Sequence, residues 1–178
     1  YLEPTAREAI HARIDEALGA LAASVEVVDG ARPLTIVAHS LGTVIASDYL
    51  RARAAARRAR GERRFHQDWR LENLFTIGSP LALFSLRYGG PEIFTDSPAI
   101  EGSRGRWVNI HDKDDPVAMP IKPLNEACGR AVLQDVQVDS GDYLLAHTGY
   151  FTDDATPRMT SASASEAIGP YTEYDAAH

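Results

Sequence analysis

The sequence of 178 residues contains one cysteine, Cys128. A single cysteine cannot form an internal disulfide or a cysteine-based metal site, and this scarcity favours a cytoplasmic location. No hydrophobic run approaches the roughly 20 residues that a membrane-spanning helix needs, so no transmembrane segment is predicted. The N-terminal residues also lack the basic and apolar regions of a signal peptide.

Basic charge is also scarce in this sequence. Eighteen lysine and arginine residues stand against 25 aspartate and glutamate residues, which gives a net charge of −7. Nucleic-acid binding requires a basic face that neutralises phosphates, so this balance argues against nucleic acid as a partner. Hydrophobic residues make up 44% of the chain and charged residues 24%, as in globular domains that bury one core.

Helix-favouring and strand-favouring segments alternate along the chain. Helices are predicted at residues 4–23 and 41–60, and short apolar segments predict strands at residues 34–38, 71–77, 106–110 and 131–138. The connections between these strands are too long for hairpins, which indicates an α/β fold with a mainly parallel sheet flanked by helices. The polar ends of the strands should therefore cluster at one edge of the sheet.

The first helix has a predicted start and a predicted buried face. Thr5 is expected to cap its first turn, with Glu8 three residues later returning the hydrogen bond. An apolar stripe that should lie on the sheet is formed by Ile10, Ile14, Leu18 and Leu21.

A serine follows the strand at residues 34–38, in the segment Ala38-His39-Ser40-Leu41-Gly42. Because a helical segment comes next, Ser40 is placed at a sharp strand-to-helix turn, as in the nucleophile elbow G-x-S-x-G of serine hydrolases. The first glycine of that pattern is Ala38 here, which is the smallest available departure. An ordinary turn of small residues between a buried strand and a buried helix is the alternative.

A serine nucleophile needs a histidine that removes its proton and a carboxylate that orients the histidine. The loop after the strand at 106–110 contains the acids Asp112, Asp114 and Asp115, and His147 follows the last predicted strand. The order serine, acid, histidine is the one found in hydrolases with an elbow of this kind.

These motifs together resemble the α/β-hydrolase superfamily, in particular its bacterial lipase-like or esterase-like members. The resemblance spans about residues 34–151 and depends on the elbow, on Thr76-Ile77-Gly78-Ser79-Pro80-Leu81, on Trp107-Val108-Asn109 leading to Asp115-Pro116-Val117-Ala118, and on His147-Thr148-Gly149-Tyr150-Phe151. In similar lipases the catalytic acid precedes Pro-Val, and the catalytic histidine opens the last motif. The resemblance therefore implies a triad of Ser40, Asp115 and His147 that acts on a small-molecule or lipid ester without cofactor or metal.

Alternatives stay open for several of these positions. Asp112 or Asp114 could be the acid, or all three aspartates could simply end a strand, since aspartate favours turns. His111 could be the base, but it lies close to the acids on the same loop and is expected to be a structural or surface group. His39 is expected to point away from the acid and the base and to act in packing, and Ser79 is expected to form a turn.

Acyl transfer also requires two donors for the developing oxyanion. The backbone N–H of Leu41 supplies one, and the second normally comes from a loop upstream of the elbow, which residues 1–39 do not evidently contain. The chain is therefore expected to resemble the hydrolase fold without its N-terminal strands, over residues 1–151, followed by a low-complexity tail at 152–178. Acyl transfer or thioester hydrolysis on the same triad is an alternative function, as is an inactive hydrolase-like module that binds a partner.

Overall fold

The structure, a computed structural model, describes residues 3–61, 68–87, 106–139 and 145–151. Within these ranges the strands are β1 (Arg32–His39), β2 (Trp69–Ile77), β3 (Arg106–Asp112) and β4 (Gln134–Val138). The α-helices are α1 (Pro4–Ala22), α2 (Leu41–Arg58), α3 (Leu81–Arg87), α4 (Glu126–Ala131) and α5 (Ala146–Gly149). A short 3₁₀ helix, Lys122–Leu124, precedes α4.

The strands form one sheet in the order β1-β2-β3-β4, and each neighbouring pair is parallel. The predicted fold class, α/β with a parallel sheet flanked by helices, is confirmed. His39 pairs with Ile77, and Ile77 pairs with Ile110, so the carboxyl ends of β1, β2 and β3 are level. The loops that leave these three strands consequently start side by side.

Apolar side chains pack on both faces of the sheet. On one face, α1 and α2 contribute to a cluster that includes Leu18, Tyr49, Leu50, Trp69, Leu71, Leu74 and Trp107. The other face carries a second cluster of Phe75, Ile77, Val108, Ile110, Val138 and Tyr150. Cover on both faces explains why the five consecutive residues from Asn73 to Ile77 in β2 are all buried. Each large side chain in these clusters contributes roughly 1.5–3 kcal/mol through its burial.

Helix α1 is present as predicted, but its first turn differs from the prediction. Pro4 occupies the first turn, and Glu3 is the N-cap residue without a side-chain hydrogen bond. The fixed φ of proline suits this position, so the helix begins one residue before Thr5. The predicted capping box of Thr5 and Glu8 is therefore wrong. Leu18 of the predicted stripe is buried, whereas Leu21 is 44% exposed, so the stripe covers the sheet only in part.

The last strand is shorter than predicted. Residues 126–131 form α4, and β4 begins only at Gln134. The side chain of Asn125 caps this helix by accepting the N–H of Cys128 at 2.7 Å. A local capping bond thus overrides the strand-favouring composition at residue 131.

Two further predictions concern the ends of the chain and the membrane. Ahead of β1, the described residues hold α1 and an isolated bridge between Val28 and Ala31. The predicted tail, residues 152–178, lies outside the described residues. None of the helices that the structure describes combines the length and the apolar character needed to cross a bilayer.

Candidate active site

Ser40 lies at the sharp turn between β1 and α2, as the sequence predicts. Its φ of 53° is left-handed, a conformation that costs a residue with a side chain about 1–2 kcal/mol. The N–H of Ser40 donates to the Ile77 carbonyl at 3.0 Å, and the N–H of Thr43 donates to the Ser40 carbonyl at 2.9 Å. Ala38 is buried at the end of β1, consistent with a small residue there. The neighbouring strand and the first turn of α2 hold Ser40 in this conformation.

Two buried hydroxyl groups support the turn. Thr43 Oγ1 donates to the Ser40 carbonyl at 2.7 Å and lies 2.8 Å from Ser79 Oγ. Because the single hydroxyl proton of Thr43 is used on Ser40, the Ser79 hydroxyl donates to Thr43, and it accepts the N–H of Leu81 at 3.3 Å. Ser79 thus shapes its own turn, as predicted, and also braces the backbone of Ser40. Thr43 carried no signal in the sequence.

Ser40, His147 and Asp115 form a continuous chain of hydrogen bonds. Ser40 Oγ lies 2.7 Å from His147 Nε2, and His147 Nδ1 lies 2.8 Å from Asp115 Oδ2. A carboxylate oxygen only accepts, so Nδ1 carries the imidazole proton, and Nε2 is left to accept the serine proton. The loop after β3 and the short helix α5 bring the acid and the histidine to the end of β1.

Asp115 is held as a carboxylate by the groups around it. Its side chain is fully buried, and burial alone would raise the pKa of the carboxyl group. Hydrogen bonds from His147, from the backbone N–H of Val117 and from Tyr150 outweigh this effect and hold the pKa below its ordinary value. The side chain that orients His147 is therefore charged at neutral pH.

Sequence relatedness does not guide the assignment of these residues. Comparison with protein-family models, with curated proteins and with solved structures finds no match for this chain. Any role for Ser40, His147 and Asp115 therefore depends on their geometry and chemistry alone.

The other acids and His111 occupy different positions. Asp112 Oδ1 accepts the N–H of Asp114 at 2.8 Å, which closes the turn after β3. The Asp114 carboxylate pairs with Lys113 at the surface, at 2.5 Å. His111 is buried in β3, and this burial lowers the pKa of its imidazole. Of the three aspartates in this loop, Asp115 is the one that hydrogen-bonds with His147.

His39 does not point away from the acid and the base, so this prediction is wrong. Its Nε2 lies 2.8 Å from the carbonyl of His147, and the two imidazole rings are 5.2 Å apart. A carbonyl only accepts, so His39 Nε2 donates in this bond. Alternation along β1 places His39 on the face of Ile77, which is the face that Tyr150 covers. His39 therefore holds the backbone of His147 in place through this hydrogen bond.

Tyr150 completes the buried side of the site. Its hydroxyl donates to Asp115 Oδ2 at 2.8 Å and accepts the N–H of Asp112 at 2.9 Å. The ring passes so close to Gly78 that a Cβ at that position would lie 2.8 Å from Tyr150 Cε2. The sequence motif at residues 147–151 contains Tyr150, but nothing in that motif indicated a role for its hydroxyl group.

The first turn of α2 lies next to the Ser40 hydroxyl. Backbone N–H groups in a first turn have no acceptor within the helix, and the helix dipole favours negative charge there. Leu41, which the sequence predicts to supply one oxyanion donor, is the first residue of α2. A Cβ placed on Gly42 would have no described heavy atom within 4 Å.

No group of three or more histidine, cysteine, aspartate or glutamate side chains that could hold a metal ion occurs in the described part of the chain. The acidic loop at residues 112–115 instead directs its carboxylates to backbone N–H groups, to Lys113 and to His147.

Proposed function

We propose that this protein is a serine hydrolase of the α/β-hydrolase type that cleaves carboxylic esters through an acyl-enzyme. The observation that carries the proposal is the hydrogen-bond chain from Ser40 Oγ through the His147 ring to Asp115, with distances of 2.7 and 2.8 Å. These distances fall in the range that proton transfer between a nucleophile and its base requires. The strained elbow and the buried, ionised acid support the same proposal.

The residues have distinct roles in the proposed reaction. Ser40 Oγ attacks the acyl carbon while its proton passes to His147 Nε2, and the Asp115 carboxylate stabilises the imidazolium that forms. The N–H of Leu41 donates to the oxyanion of the tetrahedral intermediate. Collapse of this intermediate releases the alcohol, which takes the proton from Nε2. Water then attacks the acyl-enzyme with His147 again as base, and Ser40 regains its proton when the carboxylic acid leaves.

Exposed apolar side chains beside the site support an ester with an apolar portion, either a small molecule or a lipid. Leu41 follows the nucleophile and is 43% exposed. Phe151 is 53% exposed, and its ring lies 5.4 Å from that of His39.

The proposed reaction uses no cofactor. Cys128 is buried, and burial raises the pKa of its thiol, so this unreactive cysteine is compatible with the cytoplasmic location that we also propose.

Replacement of the nucleophile tests the proposal directly. Ser40→Ala removes the attacking oxygen and should lower kcat/KM for a short-chain nitrophenyl ester by roughly 10⁴-fold or more. Ser24→Ala is the matched control, because the Ser24 hydroxyl donates to the Leu21 carbonyl at the end of α1, and this variant should keep the wild-type rate. Thermal unfolding of both variants checks that the fold is retained.

A fluorophosphonate probe gives a second readout at the same residue. Intact mass and peptide mapping should place one adduct on Ser40 in the wild type and in Ser24→Ala, and none in Ser40→Ala. A folded wild-type protein that neither reacts with the probe nor cleaves esters would sink the proposal in favour of an inactive binding module. Addition of an alcohol acceptor during turnover separates hydrolysis from acyl transfer, because a transferase forms a new ester.

A further inference from the structure

The Tyr150 hydroxyl and the candidate base, His147, donate to the same oxygen atom. Asp115 Oδ2 accepts the Tyr150 hydroxyl proton at 2.8 Å and the Nδ1 proton of His147 at 2.8 Å. The same hydroxyl oxygen accepts the N–H of Asp112 at 2.9 Å. The donor and acceptor roles of the tyrosine are thus both used, and its proton can point only at Asp115.

The fold leaves little freedom for this tyrosine. Tyr150 is fully buried and packs with Phe75, Ile77 and Ile110 in the second apolar cluster. Gly78, with a φ of 56°, leaves room for the ring where a side chain would collide with it. The His39 ring meets the tyrosine ring at a steep angle with their centres 6.0 Å apart. The phenol is therefore fixed by groups from three strand ends.

We propose that Tyr150 is a positioning residue. Its hydrogen bond to Asp115 Oδ2 weakens the interaction of that oxygen with the protonated His147 ring. This inference rests on the proposed esterase function. A carboxylate oxygen that accepts two strong hydrogen bonds attracts each donor less than an oxygen that accepts one. Tyr150 thereby weakens the hold of Asp115 on the imidazolium form of His147.

The surrounding charges agree with a tyrosine that stays protonated. Burial and the hydrogen bond to Asp115 raise the pKa of the Tyr150 phenol, so it is a donor throughout the neutral range. Among the described residues, the titratable groups that face Asp115 or Tyr150 include His147 on α5, His39 at the end of β1 and Asp112 at the end of β3. Two described side chains donate to Asp115 Oδ2, those of Tyr150 and His147.

Tyr150→Phe tests the proposal, because it removes one oxygen and keeps the ring. The titration midpoint of His147 should rise by about 0.5 to 1 pH unit, since the lost hydrogen bond acts on the Asp115 carboxylate and its effect reaches the neighbouring imidazole only in part. The midpoint is measured by NMR on protein with ¹³C-labelled histidine, with the signal assigned from His147→Gln. The acid limb of kcat/KM should move in the same direction.

Tyr49→Phe is the matched control. Tyr49 is equally buried, and its hydroxyl donates to the Asp15 carboxylate at 2.7 Å between α1 and α2. This variant also loses a hydrogen bond to a carboxylate, but its His147 titration should match that of the wild type. Equal His147 midpoints in wild type and Tyr150→Phe, or equal shifts in both variants, would overturn the proposal.

A second experiment covers the case in which Tyr150→Phe does not fold. Incorporation of 3-fluorotyrosine keeps every hydroxyl and makes it a stronger donor, so the His147 midpoint should fall in the wild type and also in Tyr49→Phe. An unchanged or raised midpoint in both would contradict the proposal. The NMR readout needs no turnover, so absent esterase activity or probe labelling would count against the proposed function alone.

Discussion

Two residues at neighbouring strand ends have left-handed backbones, Ser40 with φ 53° and Gly78 with φ 56°. Ser40 pays for this conformation with strain, whereas glycine adopts it freely. Gly78 has a second reason to be glycine, because its Cβ position is surrounded by Tyr150, Asp115 and His39. The glycine therefore makes the space in which the acid, the tyrosine and the histidine meet.

Gly78→Ala should be far more damaging than Gly42→Ala. An alanine Cβ at position 78 would lie 2.8 Å from the Tyr150 ring in a left-handed conformation, which should lower the free energy of unfolding by about 2–4 kcal/mol. Gly42 lies in the first turn of α2 with open space around its Cβ position, so alanine there should be neutral or stabilising by up to about 1 kcal/mol. Urea unfolding measures both effects, and equal losses in the two variants would contradict this account of Gly78.

The sequence indicated some residues of the candidate site and not others. Ser40, Asp115 and His147 were predicted because each occupies a short motif in the segment that follows a strand. His39, Thr43 and Tyr150 were missed or misjudged because their partners are distant in sequence: His39 contacts a carbonyl 108 residues away, and Tyr150 contacts a carboxylate 35 residues away. Contacts of this kind depend on how loops pack over the sheet, which no local pattern encodes.

At the scale of elements, the segment that follows Asp115 is tied to β4 by one carboxylate. Asp135 Oδ1 accepts the N–H of Ile121 at 2.9 Å and the side-chain amide of Asn109 at 2.7 Å. Its Oδ2 accepts the N–H of Lys122 at 2.9 Å. Asp135 therefore joins β3, the 3₁₀ helix and β4 at one point.

Asp135→Ala should destabilise the protein by about 2–4 kcal/mol, because it leaves two backbone N–H groups and an amide without their acceptor. Glu126→Ala is the control, since Glu126 forms a surface pair with Arg130 at 3.0 Å and is largely exposed, and its loss should cost less than about 1 kcal/mol. Chemical unfolding compares the two variants. Similar midpoints for Asp135→Ala and the wild type would show that the 3₁₀ helix does not depend on this carboxylate.

The elements themselves were predicted with uneven success. Strands β1, β2 and β3 were recognised because each contains a short segment rich in apolar residues and ends in a polar or glycine-containing turn. The cap of α1 and the division between α4 and β4 were misjudged, since each depends on which residue occupies a capping position. With a proline in the first turn the cap of α1 is Glu3, and with an asparagine cap on α4 the start of β4 lies at Gln134 in place of residue 131, although the apolar pattern is unchanged.

At the scale of the whole molecule, two buried histidines make the free energy of unfolding depend on pH. Burial lowers the pKa of His11, between α1 and α2, and that of His111 in β3, although nearby aspartates oppose the shift in both cases. Between the lowered pKa and the ordinary value of about 6.5, the unfolded chain binds more protons than the folded protein. Their contribution to stability is complete above about pH 6.5 and is lost as the pH falls through the lowered pKa.

The free energy of unfolding should therefore fall as the pH is lowered from 7 to 5. His111→Gln should make the free energy of unfolding depend less on pH over this range, and the double variant with His11→Gln should reduce this dependence further. Each substitution removes one group whose pKa is lower in the folded protein than in the unfolded chain. Urea unfolding at half-unit intervals of pH gives the slopes. Parallel stability curves for the wild type and the double variant would exclude these histidines as the cause.

The order of residues along the chain has a consequence for how the site is assembled. Ser40 and His147 are 107 residues apart and meet only when the three crossovers that join the four parallel strands have closed. Closure of such long loops is slow compared with the formation of helices. The reactivity proposed for Ser40 should therefore be among the last properties to appear during refolding. The time course of its labelling by a probe would then report when the sheet is complete.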